Sequence, residues 1–168
     1  MKILFRIAIL ALTSGIYAKD NFTTHYTDIS KDCKYDSKDI QEGQDAPLIC
    51  KGPNGYTVTI TYSACMESLR IESKDKKESL DMPQQPIGSA DKRKIEWRLI
   101  NKKPVGVIYR TFVLKDSSNG NCPQEKTKQE TLEVRGLGKY SELNSSIPSG
   151  GKANEKAREA IEDFVKSK

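Results

Sequence analysis

The sequence predicts an α+β domain, in which an antiparallel β-sheet of about five or six strands carries one C-terminal helix. Two observations lead to this prediction. Ile95, Trp97 and Leu99 alternate with Glu96 and Arg98, and a second apolar run begins at Val105 after a short polar turn, which is typical of a β-hairpin. From Lys152 onward the apolar period changes from two to nearly four, which indicates an amphipathic helix.

Residues 1–18 have the features of a secretory signal peptide. Lys2 and Arg6 accompany an apolar run over residues 3–12, and the small residue Ala18 precedes the predicted cleavage site. The run is too short to span a bilayer as a helix, and no later run in the sequence is long enough. We therefore expect an exported chain, periplasmic or secreted, without membrane insertion of the mature part.

One domain of ordinary size is expected after export. The chain has 168 residues and a formal net charge of +5, of which the signal peptide carries two basic residues, so the mature charge is +3. This mild charge, with aromatic residues on predicted buried faces, argues against nucleic-acid binding. Residues 19–32 are polar and lack a period, so we expect a loose N-terminal arm there, and the domain over residues 33–168.

Four cysteines remain after export, and an even number in an oxidising compartment favours two disulfides. The sequence alone permits three pairings. We favour Cys33–Cys50 with Cys65–Cys122, because the second bridge then closes the longer loop, beside the predicted sheet. A zinc site is the alternative, but the chain has no Cys-x-x-Cys spacing and one histidine, His25. We therefore expect no metal site and no cofactor.

The predicted strands are separated by recognisable turns. Gly52-Pro53-Asn54-Gly55 joins the first two strands, and Asn101-Lys102-Lys103-Pro104 joins the two strands of the central hairpin. The expected strands are 48–51, 56–62, 66–73, 95–99, a run from residue 105, and 129–136. The only tryptophan, Trp97, is expected to anchor the core. The expected core consists of Val58, Ile60, Leu69, Ile71, Ile95, Trp97, Leu99, Val107, Tyr109, Leu132, Val134, Ala157, Ile161 and Phe164.

Residues 74–93 are charged, contain prolines and lack a sustained period, so we expect a long exposed loop. Loops of this length are uncommon inside a compact domain and are often functional, although plain disorder is the alternative. By elimination, this loop is the candidate binding segment. Its apolar residues are Leu80, Met82, Pro86 and Ile87.

No catalytic constellation stands out in the sequence. A single histidine outside the predicted core argues against Ser-His and Cys-His arrangements. The chain has no glycine-rich phosphate loop and no Gly-x-Ser-x-Gly motif. Glu67, Glu72, Glu96 and Glu133 are interpreted as isolated, solvent-facing residues; any of them could serve a glycosidase, but no two form an evident pair. We therefore expect no catalytic residue.

A series of short motifs covers most of the mature chain. After a cysteine near the mature N-terminus, the motifs are Cys50-Lys51-Gly52, an aromatic strand, Leu69-Arg70, Ile95-Glu96-Trp97-Arg98-Leu99, Lys103-Pro104-Val105, Ile108-Tyr109-Arg110, a Leu-Glu-Val strand, and Asn154, Ala157 and Arg158 in the helix. This order resembles an uncharacterised family of small exported bacterial proteins. The resemblance implies a Cys33–Cys50 bridge. The chain departs from the family at Cys65, and it lacks a cysteine after the last strand and another beyond the helix.

Export, stapling by disulfides and the absence of catalytic motifs favour a non-enzymatic binding module of the bacterial periplasm or exterior, whose partner is another protein. Periplasmic inhibitors of lysozyme have a similar size and β-rich build. Inhibition of a secreted hydrolase such as lysozyme is therefore one concrete version of this hypothesis. The alternative is a small hydrolase that uses carboxylates alone.

Overall fold

The computed structural model describes residues 21–36, 38, 45–86, 93–114 and 126–168. Within these residues the chain forms two antiparallel sheets and one long C-terminal helix. The α+β prediction is therefore confirmed, and the second sheet is an addition to it. No helix of the described residues is long and apolar enough to cross a membrane. The predicted signal peptide lies outside the described residues.

The described residues form eleven strands and two α-helices. They are β1 (Phe22–Asp28), α1 (Ile29–Asp32), β2 (Cys33–Tyr35), β3 (Leu48–Lys51), β4 (Thr57–Ser63), β5 (Met66–Glu72), β6 (Ser79–Asp81), β7 (Gln85–Pro86), β8 (Lys94–Ile100), β9 (Lys103–Leu114), β10 (Lys126–Gly136), β11 (Asn144–Pro148) and α2 (Ala153–Lys166). The first sheet has the order β1-β8-β9-β10-β11. The second has the order β2-β3-β4-β5-β6, and β7 also pairs with β5.

The first sheet is the middle of three layers. One of its faces packs against the second sheet, and an apolar core fills the space between them. Its other face packs against α2, which buries one residue per turn. The core between the sheets includes Trp97, Tyr109, Ile60 and Ile71, and the core under the helix includes Ile108, Leu132 and Val134 with Ala153, Ala157, Ile161 and Val165.

The predicted core and the predicted central hairpin are confirmed. All the predicted core residues are buried except Phe164, which is half-buried at the edge of α2. The turn of the central hairpin is tighter than the sequence suggests. Only Asn101 and Lys102 lie outside the strands, and their positive φ angles of 49° and 66° match the two-residue turn that fits twisted strands.

The expectation of a loose N-terminal arm is wrong for residues 22–28. These residues form β1, which pairs with β8 from Phe22 opposite Ile100 to Asp28 opposite Lys94. The segment is rich in threonine and aromatic residues, which favour strands, but it carries few aliphatic residues. An edge strand of this composition lacks the apolar alternation that identifies the other strands.

The long exposed loop expected over residues 74–93 is also partly wrong. Residues 79–81 and 85–86 pair with β5, and Met82, Gln85 and Arg93 are buried. Strands of two and three residues are too short to show a period, so the sequence pattern cannot identify them. Residues 87–92 lie outside the described part of the chain.

The Cys33–Cys50 disulfide is confirmed. The two cysteines are directly opposite on β2 and β3, with their Cα atoms 4.1 Å apart. Cys65 is also disulfide-bonded. Cys122, its predicted partner, lies outside the described residues.

Candidate functional site

Helix α2 covers a charged face of the first sheet. Glu96 and Arg98 alternate with the apolar residues of β8 and therefore point away from the second sheet, towards the helix. Each is 7 % exposed. The interpretation of Glu96 as solvent-facing is therefore wrong, because helix α2 covers this face of the sheet.

Two ion pairs connect this face to the helix. The sheet supplies the carboxylate of one pair and the arginine of the other. Arg158 donates through Nε and NH2 to the two oxygens of Glu96, at 2.5 and 3.0 Å, and Arg98 donates through NH2 to Glu162. Two residues along a strand span about 6.7 Å. Four residues along a helix span about 6 Å. Because the two spacings match, both pairs form in the same alignment of α2 on the sheet.

An open cleft of about 240 Å³ adjoins the Glu96–Arg158 pair. We call it the arginine cleft. Its apolar lining comes from the buried residues Ile108 and Leu132, and its polar lining residues are Tyr26, Arg93, Lys94, Glu96, Arg110, Asn154 and Arg158. The cleft thus draws on β1, β8, β9, β10 and α2, which together span the described chain almost from end to end.

Tyr26 and Glu96 hold Arg158 in place at the cleft. Tyr26, opposite Glu96 in the β1–β8 register, donates to Glu96 Oε2 at 3.3 Å and accepts from Arg158 NH2 at 3.0 Å. The hydrogen bond to Glu96 raises the pKa of Arg158 above its ordinary value, and burial opposes this shift. Arg158 is therefore a permanent cation that a carboxylate and a phenol hold in one orientation.

Arg110 is held in a similar way on the other side of the cleft. Its NH1 donates to Glu130 Oε2 at 2.5 Å and to Ser149 Oγ at 2.8 Å. Its NH2 donates to Asn154 Oδ1 at 3.4 Å. Asn154 and Arg158 are four residues apart on α2, so they share one helix face with the guanidinium of Arg110 beside them. The cleft therefore presents two fixed guanidinium groups.

A second arginine cluster lies behind the cleft, between the two sheets. Arg93 donates to Glu67, to Gln85 and, at 2.8 Å, to the carbonyl oxygen of Arg110. Its guanidinium carbon lies 4.9 Å from the ring centroid of Tyr109. Arg93, Glu67 and Gln85 are all buried, so we interpret this cluster as a polar part of the core.

Burial in this cluster raises the pKa of Tyr109 to about 12, and the charge of Glu67 acts in the same direction against the charge of Arg93. A phenol with so high a pKa stays protonated under physiological conditions. Tyr109 therefore acts as a neutral core residue.

Two adjoining cavities of about 300 and 420 Å³ form a separate groove, whose shared lining residues are Tyr56, Glu78, Leu137 and Gly138. Tyr56 donates to Glu78 Oε2 at 2.7 Å. Burial raises the pKa of Tyr56, and the hydrogen bond and charge of Glu78 raise it further. We call this surface the Tyr56 groove.

The residues of the predicted binding segment do not converge on one site. Leu80 lines the Tyr56 groove. Met82 is buried in the core between the sheets, and Pro86 is buried in β7. Ile87 lies outside the described residues. A binding role for the segment stays a prediction.

The buried carboxylates are engaged with arginines. Glu67 and Glu133, like Glu96, are buried, so their interpretation as solvent-facing residues is also wrong; Glu72 is partly exposed. Glu133 accepts from Arg135 NH2 and from Ser146 Oγ, both at 2.7 Å. In the described part of the chain no three His, Cys, Asp or Glu residues are grouped so that they could hold a metal ion.

Sequence reasoning singled out most of the cleft residues without bringing them together. Glu96, Arg110, Asn154 and Arg158 all belong to motifs quoted above, but no spacing in the sequence predicts that three distant motifs meet. Tyr26 was missed because its strand was interpreted as a loose arm. Comparisons of the chain with protein-family models, curated proteins and solved structures find no match.

Proposed function

We propose that the protein is an exported, non-enzymatic binding module of the bacterial periplasm or exterior, and that it contacts its partner through the arginine cleft. The construction of the cleft carries this proposal. Arg110 and Arg158 are each held by a carboxylate of the first sheet, Glu130 and Glu96. Groups that are already fixed lose little conformational freedom when a partner binds, which favours recognition.

The state of the carboxylates supports binding over hydrolysis. A carboxylate-dependent glycosidase needs one carboxyl group that donates a proton and a second that acts as base or nucleophile. Both oxygens of Glu96 instead accept hydrogen bonds from Arg158, and Glu133 accepts from Arg135, Ser146 and Thr111. These carboxylates serve to position arginines.

The proposed partner is another protein outside the cytoplasm, and a secreted hydrolase such as lysozyme is the concrete case. The β-rich architecture with a disulfide between neighbouring strands supports a role in an oxidising compartment. The exposed fraction of the Arg158 side chain, 36 %, supports direct contact with a partner.

Capture of a partner by the immobilised mature protein, from envelope extract and host secretions, tests this proposal. A protein retained by the wild type, lost with Arg110→Lys and Arg158→Lys, and retained by Arg70→Lys would support it. Arg70 is a matched control, because its Nε and NH2 donate to Asp81 at 2.7 and 3.2 Å on an exposed surface. Lysozyme activity assayed with and without the protein tests the concrete case. Turnover in a glycan or peptide hydrolysis screen, with no partner retained, would instead favour the hydrolase.

A further inference from the structure

We infer that the arginine cleft binds the carboxylate group of a larger molecule, such as the C-terminal carboxylate of a peptide. This inference rests on the proposed binding function and names the chemical class that the cleft recognises. It follows from three properties of the cleft: its charge, its available donors and its size.

The charge of the lining favours an anion. Lys94, Arg110 and Arg158 contribute three cations, whereas Glu96 contributes the one carboxylate among the described lining residues, and the fourth lining cation, Arg93, is engaged with the buried Glu67. Carboxylates also lie outside the lining: Glu130 holds Arg110, and Asp28 lies 3.7 Å from Lys94. Lys94 and Arg110 are therefore paired with carboxylates outside the lining, and cations outnumber carboxylates among the lining residues themselves.

The remaining hydrogen-bond donors fit a carboxylate. Arg158 NH1, Arg110 Nε and Asn154 Nδ2 make no hydrogen bond to any described residue. A planar guanidinium presents parallel N–H groups that match the two oxygens of a carboxylate, which an ammonium group does not. Two guanidinium groups and an amide at one cleft therefore form a suitable set of donors for a single carboxylate.

The size of the cleft defines what carries the carboxylate. At about 240 Å³ the cleft is smaller than the pockets of roughly 300–1,000 Å³ that enclose whole small-molecule ligands. It therefore suits one terminal group of a larger molecule. Ile108 and Leu132 line the cleft but are only 4 % and 2 % exposed, so they offer little apolar surface, and the carboxylate is the group that the cleft recognises.

Titration of the mature protein with N-acetyl-leucine, followed by amide NMR or calorimetry, tests the inference. We expect binding at the cleft, with N-acetyl-leucinamide at least tenfold weaker, because it lacks the charge. Arg110→Lys and Arg158→Lys should each weaken binding at least fivefold, and Arg70→Lys should leave it unchanged. Thermal unfolding of each variant establishes that it is folded under the assay conditions, and Glu162→Gln serves as a second helix variant that leaves the donors in place.

Three results would overturn the inference. Equal binding of the amide would remove the carboxylate as the recognised group. Inorganic phosphate that binds as tightly as N-acetyl-leucine would replace the carboxylate of a larger molecule with a free oxyanion as the recognised group. No binding of any probe, while a captured protein still depends on Arg110 and Arg158, would refute the ligand class and leave the proposed function standing; no cleft-dependent capture would refute the proposed function itself.

Discussion

Glu96 and Arg158 are 62 positions apart in the chain, and Arg158 donates to both carboxylate oxygens of Glu96. In the neighbouring pair the charges are exchanged, with Arg98 on the strand and Glu162 on the helix. If α2 shifted by one turn along its axis, Arg158 would face Arg98, or Glu162 would face Glu96. The two pairs therefore favour the observed alignment of the helix and disfavour the nearest alternatives.

A double-mutant cycle of Glu96→Ala and Arg158→Ala should give a coupling free energy of about 1–3 kcal/mol. The reason is that Glu96 is 10 % exposed in its side chain, so either single change leaves a partly buried charge without its partner. Urea unfolding of the four proteins measures the coupling. The exposed pair Arg70 and Asp81, analysed in the same way, should show a much smaller coupling free energy, because solvent screens both charges. Equal coupling in both cycles would contradict the role given to burial.

Gly106→Ala should lower the free energy of unfolding by about 1–3 kcal/mol. A Cβ at this position would lie 2.9 Å from Ile161 Cδ1 in α2 and 3.0 Å from the carbonyl oxygen of Arg135, so the Ile161 side chain and the backbone of β10 would have to shift. Gly151→Ala is the control, because a Cβ there meets nothing within 4 Å. A Gly106→Ala variant as stable as the Gly151→Ala variant would show that the helix is not closely packed at β9.

The sequence pattern predicted the fold where a strand has one apolar face, and it failed where polar residues occupy buried positions. Trp97 and Ile60 belong to strands with regular alternation, and both were placed correctly. Glu67 shares its face of β5 with Leu69 and Ile71, so strict alternation would have placed it inside. Its charge suggested solvent instead. Its partner Arg93 is 26 positions away, and a single sequence gives no spacing rule for such a pair.

The candidate site was less predictable than the fold for a related reason. Alternation correctly assigned Glu96 and Arg98 to the face opposite Trp97. Whether that face meets water or another element depends on where α2 packs, which is a tertiary property. The apolar stripe of α2 showed that the helix packs on something, and the neighbouring Arg158 and Glu162 complement the strand charges, but only the structure aligns the two sets.

Trp97→Ala should lower the free energy of unfolding by about 3–5 kcal/mol, as a large-to-small change in the core. Trp97 is fully buried, donates from Nε1 to Thr27 Oγ1 at 2.9 Å, and has its ring centroid 5.7 Å from that of Tyr56. Chemical denaturation measures the loss. Lys103→Ala, on an exposed residue beside the hairpin turn, should change stability by less than about 0.5 kcal/mol. A small effect at Trp97 would contradict its place at the centre of the core.

Stability should fall in alkaline solution partly because of Tyr109. Its folded pKa of about 12 lies above the ordinary value of 10.0, because burial disfavours the phenolate. Below about pH 10 the phenol is neutral in both the folded and the unfolded chain, and its full contribution to stability is present. Between about pH 10 and pH 12 the phenol ionises in the unfolded chain but not in the folded protein, so this contribution is lost as the pH rises. The loss is about 2–3 kcal/mol for two pKa units. Tyr109→Phe should show a correspondingly smaller decrease in urea-unfolding free energy between about pH 8 and pH 12, whereas parallel decreases in both proteins would exclude this cause.

The pairing of Cys65 decides whether the protein has a second intramolecular disulfide. Cys65 is disulfide-bonded, and Cys122 is its predicted partner. That bridge would close a loop of about 57 residues and stabilise the fold by on the order of 4 kcal/mol in the chain-entropy model. Mass spectrometry of the unreduced protein after denaturing alkylation should detect no alkylated cysteine, and proteolysis without reduction should release a linked pair of peptides that contain Cys65 and Cys122. Two alkylated cysteines in the native, oxidised protein would refute the second bridge and would direct attention to redox chemistry or intermolecular pairing at these thiols.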